Sequence, residues 1–173
     1  KPIVGERVKR SEKLIFKICY QLHKLITLTF TGKSIKFGNY TCLSKSTVEK
    51  MINDKATWSS FSGSLTKLEK NRSTIPSIRG ERYFGPSKMS FYNLMKHSLA
   101  IIAVFKINVI IRSILFYLIY LFLISEKITY ITSIPLILVV IFAISVLGIS
   151  KRENLDQLNN SQLNISNIDN LKS

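Results

Sequence analysis

Residues 128–150, ITYITSIPLILVVIFAISVLGIS, form an uncharged run of 23 residues. A helix of this length, at about 1.5 Å rise per residue, crosses a hydrocarbon core of roughly 30 Å. A second apolar run of 19 residues precedes it at 107–125, INVIIRSILFYLIYLFLIS, and carries one charge, Arg112. An arginine near the end of a span keeps its head at the interface by extending its stem. The two runs therefore predict a hairpin of transmembrane helices.

Charge is distributed unevenly along the chain, and this orients the predicted hairpin. Residues 1–112 hold 21 Lys and Arg against 6 Asp and Glu, which accounts for the whole formal charge of +15, whereas residues 113–173 hold 4 of each. Basic residues that flank spans remain in the cytoplasm, and Glu126 and Lys127 are the charged residues of the short loop. We therefore expect an integral protein of the inner or cell membrane, of bacterial type, with both termini cytoplasmic.

Two simpler explanations of this composition stay open. The apolar runs could be core helices of a soluble protein, although 173 residues supply only a small polar shell around them. The chain is also rich in Lys, Ile and Asn together, so a biased genome composition could account for part of the charge.

The segment ahead of the spans has a mixed helix and strand pattern. Residues 12–30 predict an amphipathic helix, because Lys13, Lys17 and Lys24 recur at helical spacing opposite a stripe of leucine and isoleucine. Ser11 is the candidate N-cap. The further predicted elements are a strand over 35–43, a helix from a capping box at 46–49 to about Asn53, a helix over 57–70 and an extended stretch over 74–86.

Residues 88–105, KMSFYNLMKHSLAIIAVF, form an amphipathic helix pattern directly ahead of the first span. Such a helix lies in the membrane interface, and packing against a soluble domain is the alternative. We expect Lys96, Lys106 and Arg112 to lie at this interface. The predicted organisation is a soluble portion at 1–87, a juxtamembrane helix at 88–106, spans at 107–125 and 128–150, and a polar, mostly disordered tail at 151–173.

Two basic clusters are candidates for binding phosphate. The first is Arg7-Val-Lys9-Arg10, ahead of a predicted helix N-terminus, where anions are favoured. The second runs from Arg79 through Arg82 and Ser87 to Lys88 and contains two glycines that allow close backbone approach. A solvated basic loop is the alternative, but the position beside the membrane is where a lipid headgroup would lie.

Several motifs are missing from these 173 residues. The acidic residues include no DxD pair, and no Walker loop or GxGxxG occurs, so no metal is expected to bind this chain. His23 and His97 both lie on predicted amphipathic helices and are expected at a surface or interface. Nucleic-acid binding would need aromatic side chains interleaved on a basic face, and it is not expected here.

The run at 78–105, IRGERYFGPSKMSFYNLMKHSLAIIAVF, resembles the C-terminal region of membrane-bound family 2 glycosyltransferases. In these enzymes an R-x-x-G-x-S-K-M-like element leads from the catalytic domain into a juxtamembrane helix, and polyprenyl-phosphate sugar transferases are the best-known relatives. The likeness extends more weakly over 5–125, through Arg7, Arg10 and the G-N-Y segment at 38–40. It implies an α/β fold: the second half of a GT-A domain, followed by an interfacial amphipathic helix and a two-helix transmembrane hairpin.

The resemblance implies that the nucleotide-binding half and its DxD metal site, for Mg or Mn, precede Lys1, so this chain alone is expected to be inactive. It also implies a nucleotide-sugar donor and a lipid-linked acceptor, often polyprenyl phosphate, besides the membrane lipids. Arg7 and Arg10 would contact donor or acceptor phosphates. Arg82, Ser87 and Lys88 would form part of the acceptor-side gate at the membrane. Asn39 departs from the aspartate common in relatives, and an amide cannot serve as a general base.

A non-enzymatic adaptor is the alternative function. In that case the basic portion, tethered by the hairpin, would bind anionic lipids without any transfer reaction. The sequence upstream of Lys1 distinguishes the two: a half-domain with a DxD motif supports the enzyme, and a nearby start codon supports the adaptor.

Overall fold

A computed structural model describes residues 1–9, 14–78 and 90–153. Over these ranges the chain is mostly helical, with a small three-stranded mixed sheet and two apolar helices long enough to cross a membrane. The elements are β1 Ile3–Lys9, α1 Leu14–Thr31, β2 Phe37–Cys42, α2 Lys45–Ile52, α3 Ala56–Ser59, α4 Phe61–Leu68, β3 Ser73–Ile78, α5 Phe91–Ala103, α6 Lys106–Ile124 and α7 Tyr130–Ser150.

The sheet has the strand order β2-β1-β3, with β1 antiparallel to β2 and parallel to β3. The central strand, β1, was not predicted from the sequence, although its Ile3, Val4 and Val8 are β-branched. Val4 is 1 % exposed and forms a core with Met51 of α2 and Leu65 of α4. This core explains why β1 forms, because its apolar side chain is covered by two helices from later in the chain.

Two details of the predicted helices between β2 and β3 are wrong. The N-cap of α2 is Ser44, whose side chain accepts from the Thr47 amide, so the helix begins earlier than the capping box at 46–49 suggested. The single helix predicted over 57–70 is two helices, since Ser60 adopts an extended conformation between α3 and α4. The Ser60 side chain accepts from the Gly63 amide and so caps α4.

Helix α5 joins the sheet portion to the two apolar helices. Its second half is buried, with Ile102 at 2 % and Ala103 at 0 % exposure, whereas its first half, including Phe91 and Met95, is exposed. A β-carbon at Gly63 of α4 would lie 2.8 Å from Val104 Cγ2 and 3.2 Å from the Ile101 carbonyl oxygen. The glycine therefore allows α4 to approach the end of α5 closely.

The two apolar helices, α6 and α7, form the predicted hairpin within one or two residues of the predicted bounds. Only 17 % of the most apolar stretch of α6 and 11 % of that of α7 is buried, so most of their apolar surface faces outward. A soluble core helix would be mostly buried. The length, composition and exposure of these helices are compatible with membrane spans.

The base of the hairpin packs against α1 and α5. A core of Ile102, Ala103, Val109 and Val146 lies there, bordered by the half-buried side chains of Ile26, Phe30, Leu99, Phe142 and Ile149. The rings of Phe30 and Phe142 lie 4.8 Å apart between centroids. The hairpin is therefore joined to α1 and α5 by an apolar core at its base.

Candidate phosphate site and membrane junction

The parallel pairing of β1 and β3 is the feature that concerns both basic clusters. Lys9, the last residue of β1, pairs with Ile78, the last residue of β3. Arg10 and Arg79 are the next residues in the chain, so the chain leaves both strands at the same edge of the sheet. Carboxyl edges of parallel strands are where ligands bind in open α/β sheets.

The structure locates only part of the predicted phosphate site. Arg7 lies in β1 opposite Ser77, and the placement of its side chain is outside what the structure describes. The other predicted ligands lie outside the described residues: Arg10, Arg79, Arg82, Ser87 and Lys88. Asn39, which stands where relatives have aspartate, is exposed in β2.

The three predicted interface residues have different surroundings. Lys96 is exposed on the first half of α5. Lys106, the first residue of α6, forms an ion pair with Glu153 just past α7, with Nζ 2.9 Å from Oε2. The Glu153 side chain is only 5 % exposed. This pair joins the two ends of the hairpin base, and no sequence pattern predicts it because 47 residues separate the partners.

Arg112 binds the C-terminus of α1, and its position at the membrane interface stays a prediction. Its Nη1 donates to the Thr29 carbonyl oxygen at 2.7 Å. Asn108, one turn earlier on α6, donates from Nδ2 to the Thr31 carbonyl oxygen at 3.3 Å. The last carbonyls of a helix lack intrahelical partners and carry partial negative charge. Helix α1 has no basic residue in its last turn, so α6 supplies its cap.

The backbone conformation directly after α1 leaves space for the Arg112 guanidinium. Gly32 has a φ of +70°, a left-handed conformation that favours glycine. A β-carbon at this position would lie 2.7 Å from Arg112 Nη2. The glycine thus ends the helix and leaves room for the guanidinium.

A second group of charged residues surrounds β1 on the sheet portion. Lys36 Nζ lies 3.2 Å from Glu6 Oε1. The Arg72 guanidinium lies over the Phe37 ring, 5.3 Å from its centroid, and its Nη1 donates to the Glu69 carbonyl oxygen. Burial lowers the pKa of Arg72. The Arg72 contacts hold the loop between α4 and β3 against the sheet, and we assign them and the Lys36–Glu6 ion pair a structural role.

Within residues 1–9, 14–78 and 90–153, no group of three or more His, Cys, Asp or Glu could hold a metal ion. No protein-family model, curated protein or solved structure matches the chain. The fold defines the class of this protein: a small mixed sheet with covering helices, joined to two helices that are long and apolar enough to cross a membrane.

Proposed function

We propose that this chain is the C-terminal part of a membrane-bound family 2 glycosyltransferase. The complete enzyme would transfer a sugar from a nucleotide-sugar donor to a membrane-associated acceptor, often polyprenyl phosphate, on the cytoplasmic face. In this proposal the described sheet belongs to the second half of a GT-A domain. The first half, with a DxD motif that would hold Mg or Mn, would lie upstream of Lys1.

One observation carries the proposal. Strand β1 contains Arg7 and Lys9 of the first basic cluster, and β3 ends one residue before Arg79, where the second cluster begins. The two strands are parallel neighbours and end at the same level, with Lys9 opposite Ile78. The R-x-x-G-x-S-K run begins four residues after Ile78 and ends two residues before Ser90, the N-cap of α5. A site for phosphate groups would thus lie between the carboxyl edge of the sheet and the start of α5, the helix that leads to the candidate spans.

The chain's own residues would act by binding and positioning. Arg7 and Arg10 would bind phosphate oxygens of donor or acceptor, and Arg82, Ser87 and Lys88 would bind the acceptor headgroup. Arginine suits this role because its planar guanidinium donates to two phosphate oxygens at once. Because the site would lie beside the bilayer, the bound donor and the membrane-bound acceptor would lose less translational and rotational entropy at the reaction step.

Replacement of Arg82 tests the proposal. In the complete enzyme, purified with its upstream sequence and assayed with nucleotide-sugars and polyprenyl phosphate in vesicles, Arg82→Ala should lower the transfer rate by about 10²-fold or more, as for loss of a positioned charge donor. The control is Lys55→Ala, which removes an exposed basic side chain at the start of α3. The chain of residues 1–173 alone should show no transfer.

Unchanged turnover in Arg82→Ala would show that Arg82 does not bind the acceptor headgroup as proposed. If the complete protein transfers no sugar but binds vesicles of anionic lipid, the adaptor function replaces the enzyme. A metal-dependent transfer by residues 1–173 alone would show that the metal site does not lie upstream.

A further inference from the structure

A cavity of about 240 Å³ lies on the sheet portion, between β1, the chain segment that leads into β2, and the start of β3. Val4 and Phe37 supply apolar parts of its wall. The polar part of its lining consists of Glu6, Ser34, Lys36, Arg72 and Thr74. Pockets for drug-sized ligands have volumes of roughly 300–1,000 Å³, so this cavity suits a small polar group rather than a nucleotide.

The cavity lies toward the amino ends of the two parallel strands. Thr74 of β3 pairs with Val4 of β1, and Arg72 lies just before β3 begins. Lys9 and Ile78, which mark the carboxyl edge beside the two basic clusters, pair further along the same strands. The cavity is therefore a second candidate site, distinct from the predicted phosphate site at the carboxyl edge.

The base of the hairpin adjoins the cavity. Ile35 lies between the lining residues Ser34 and Lys36 in the chain. Its side chain packs against Val104 and Phe105. Phe105 is the N-cap of α6, so the cavity wall is held against the start of a helix that is long and apolar enough to cross a membrane. In the membrane setting of the proposed function, the cavity would lie close to the lipid headgroups.

Arg72 and Lys36 both have hydrogen-bond donors in excess of their described contacts. A guanidinium carries five N–H groups, and the contact described for Arg72 uses one of them, from Nη1 to the Glu69 carbonyl oxygen. Lys36 Nζ, with three N–H groups, lies 3.2 Å from one oxygen of Glu6. Burial lowers the pKa of Arg72, which indicates that its positive charge is desolvated without full compensation. The two side chains can therefore donate further hydrogen bonds into the cavity that they line.

The charge of the lining favours an anionic ligand. Lys36 and Arg72 contribute two positive charges and Glu6 contributes one negative charge, which is already paired with Lys36. One positive charge remains, and a singly charged phosphodiester would balance it. A guanidinium donates to two phosphate oxygens at once, and the exposed hydroxyls of Ser34 and Thr74 can donate to the others.

We propose that this cavity binds a phosphate group through Arg72, Lys36 and the hydroxyls of Ser34 and Thr74. Two sources supply such a group: the headgroup of a membrane phospholipid, and free phosphate in solution. A bound headgroup would fix the sheet portion to the bilayer surface beside α6. The inference goes beyond the proposed function, since phosphate binding here needs no transfer reaction.

Isothermal titration calorimetry of the full chain in maltoside micelles tests the site, with inorganic phosphate and dihexanoyl phosphatidylglycerol as the two probes. All proteins carry Arg82→Ala, which removes a residue of the predicted phosphate site at the carboxyl edge. Arg72→Gln and Lys36→Gln should each weaken probe binding by about tenfold, because each removes a charged donor. Lys55→Gln, the same replacement at an exposed lysine at the start of α3, should leave binding unchanged.

Glu6→Gln distinguishes a ligand site from an ion pair with a structural role alone. The substitution removes the negative charge and frees the Lys36 ammonium, so probe binding should become about threefold tighter or more. An ion pair that only stabilises the fold would give no gain in binding when it is broken. The side chains of Lys36 and Glu6 are 51 % and 28 % exposed, so both variants should fold even if Arg72→Gln does not.

The pattern of binding identifies the source of the phosphate group. Binding of the lipid alone, altered by the variants as expected, supports a headgroup site, and the same result with inorganic phosphate alone supports a site for free phosphate. Binding of both probes supports recognition of the phosphate group itself. Binding of neither probe overturns the proposal, as does equal binding by the parent, Lys36→Gln and Glu6→Gln proteins. None of these outcomes depends on whether the complete protein transfers sugar.

Discussion

At the scale of single residues, the structure gives Arg112 a binding partner that the sequence did not predict. Within an apolar run it is compatible with a snorkelling interface residue. In the fold its guanidinium caps the C-terminus of α1 through the Thr29 carbonyl. The same side chain can do both, because a cationic group at the interface also complements the negative end of a helix. Its principal described partner is protein backbone.

Loss of Arg112 should therefore weaken the joint between α1 and α6. We expect Arg112→Leu to lower the free energy of unfolding by about 1 kcal/mol, because an exposed hydrogen bond from a charged donor sits at the low end of its range. Thermal unfolding of the chain in detergent micelles measures the loss. Arg152→Leu, the same replacement at an exposed arginine past α7, is the control, and equal midpoints for the two variants would contradict the capping role.

The Lys50–Glu69 pair gives the sheet portion a pH dependence. Lys50 Nζ donates to Glu69 Oε1 at 2.8 Å, and this hydrogen bond lowers the pKa of Glu69 below its ordinary 4.5. A lowered pKa in the folded state contributes stability above the unfolded pKa, and that stability is lost as pH falls through the folded value.

The stability difference between the native chain and Lys50→Met should accordingly be largest near neutral pH and shrink at about pH 3. Thermal midpoints at the two pH values, with the native chain and variant in the same detergent, provide the measurement. Lys45→Met, in the first turn of the same helix, should show no such change. A difference independent of pH would mean that the pair contributes nothing through ionisation.

At the scale of elements, α5 is divided into two halves with different surroundings. The sequence pattern predicts one continuous apolar face from Phe91 to Phe105, as for an interfacial helix. In the structure Phe91 and Met95 are exposed, while Ile102 and Phe105 are 2 % and 8 % exposed against protein. The two interpretations of this helix, membrane interface and packing on the soluble portion, therefore apply to different halves: the second half is packed on protein, and an interfacial position stays a prediction for the first.

Gly63 tests the packing of α4 on α5. Gly63→Ala places a methyl group 2.8 Å from Val104 Cγ2 and 3.2 Å from the Ile101 carbonyl oxygen, and we expect a loss of about 1–3 kcal/mol from this overpacking. Gly148→Ala is the matched control, since nothing lies within 4 Å of a β-carbon there. That substitution should be neutral or stabilising in a helix. Equal melting midpoints for the two variants would contradict close packing at Gly63.

At the scale of the whole molecule, the hairpin is closed at its base. The Lys106–Glu153 ion pair joins the start of α6 to the end of α7, and the Phe30–Phe142 contact ties the same end to α1. The turn carrying Glu126 and Lys127 lies at the opposite ends of the two helices. This arrangement agrees with a chain that enters and leaves the bilayer on one side, with the basic portion there.

Cysteine labelling of intact cells tests this topology. With Cys19 replaced by serine, the exposed Cys42 should react with a membrane-impermeant maleimide only after permeabilisation. In a chain lacking both native cysteines, Lys127→Cys should react in intact cells. Reaction of both positions from the same side would refute the hairpin.

The hairpin was predictable from the sequence alone, because an apolar run long enough to cross a bilayer is a local property that needs no partner. The bounds of α6 and α7 fall within two residues of the prediction for that reason. Helix α1 was predictable on the same local basis from its periodicity, as was β2 from its residue types.

The contacts between these elements became visible only in the folded chain. The pairing of Lys9 with Ile78, the contact of Arg112 with Thr29 and the burial of Glu153 beside Lys106 each join residues far apart in the chain. No local pattern encodes such partners, because strand register and helix capping in trans depend on the packing of all the intervening elements. The sequence pattern identified the two basic clusters, and the parallel pairing of β1 with β3 brings Lys9 of the first cluster and Ile78, next to the second, to one edge of the sheet.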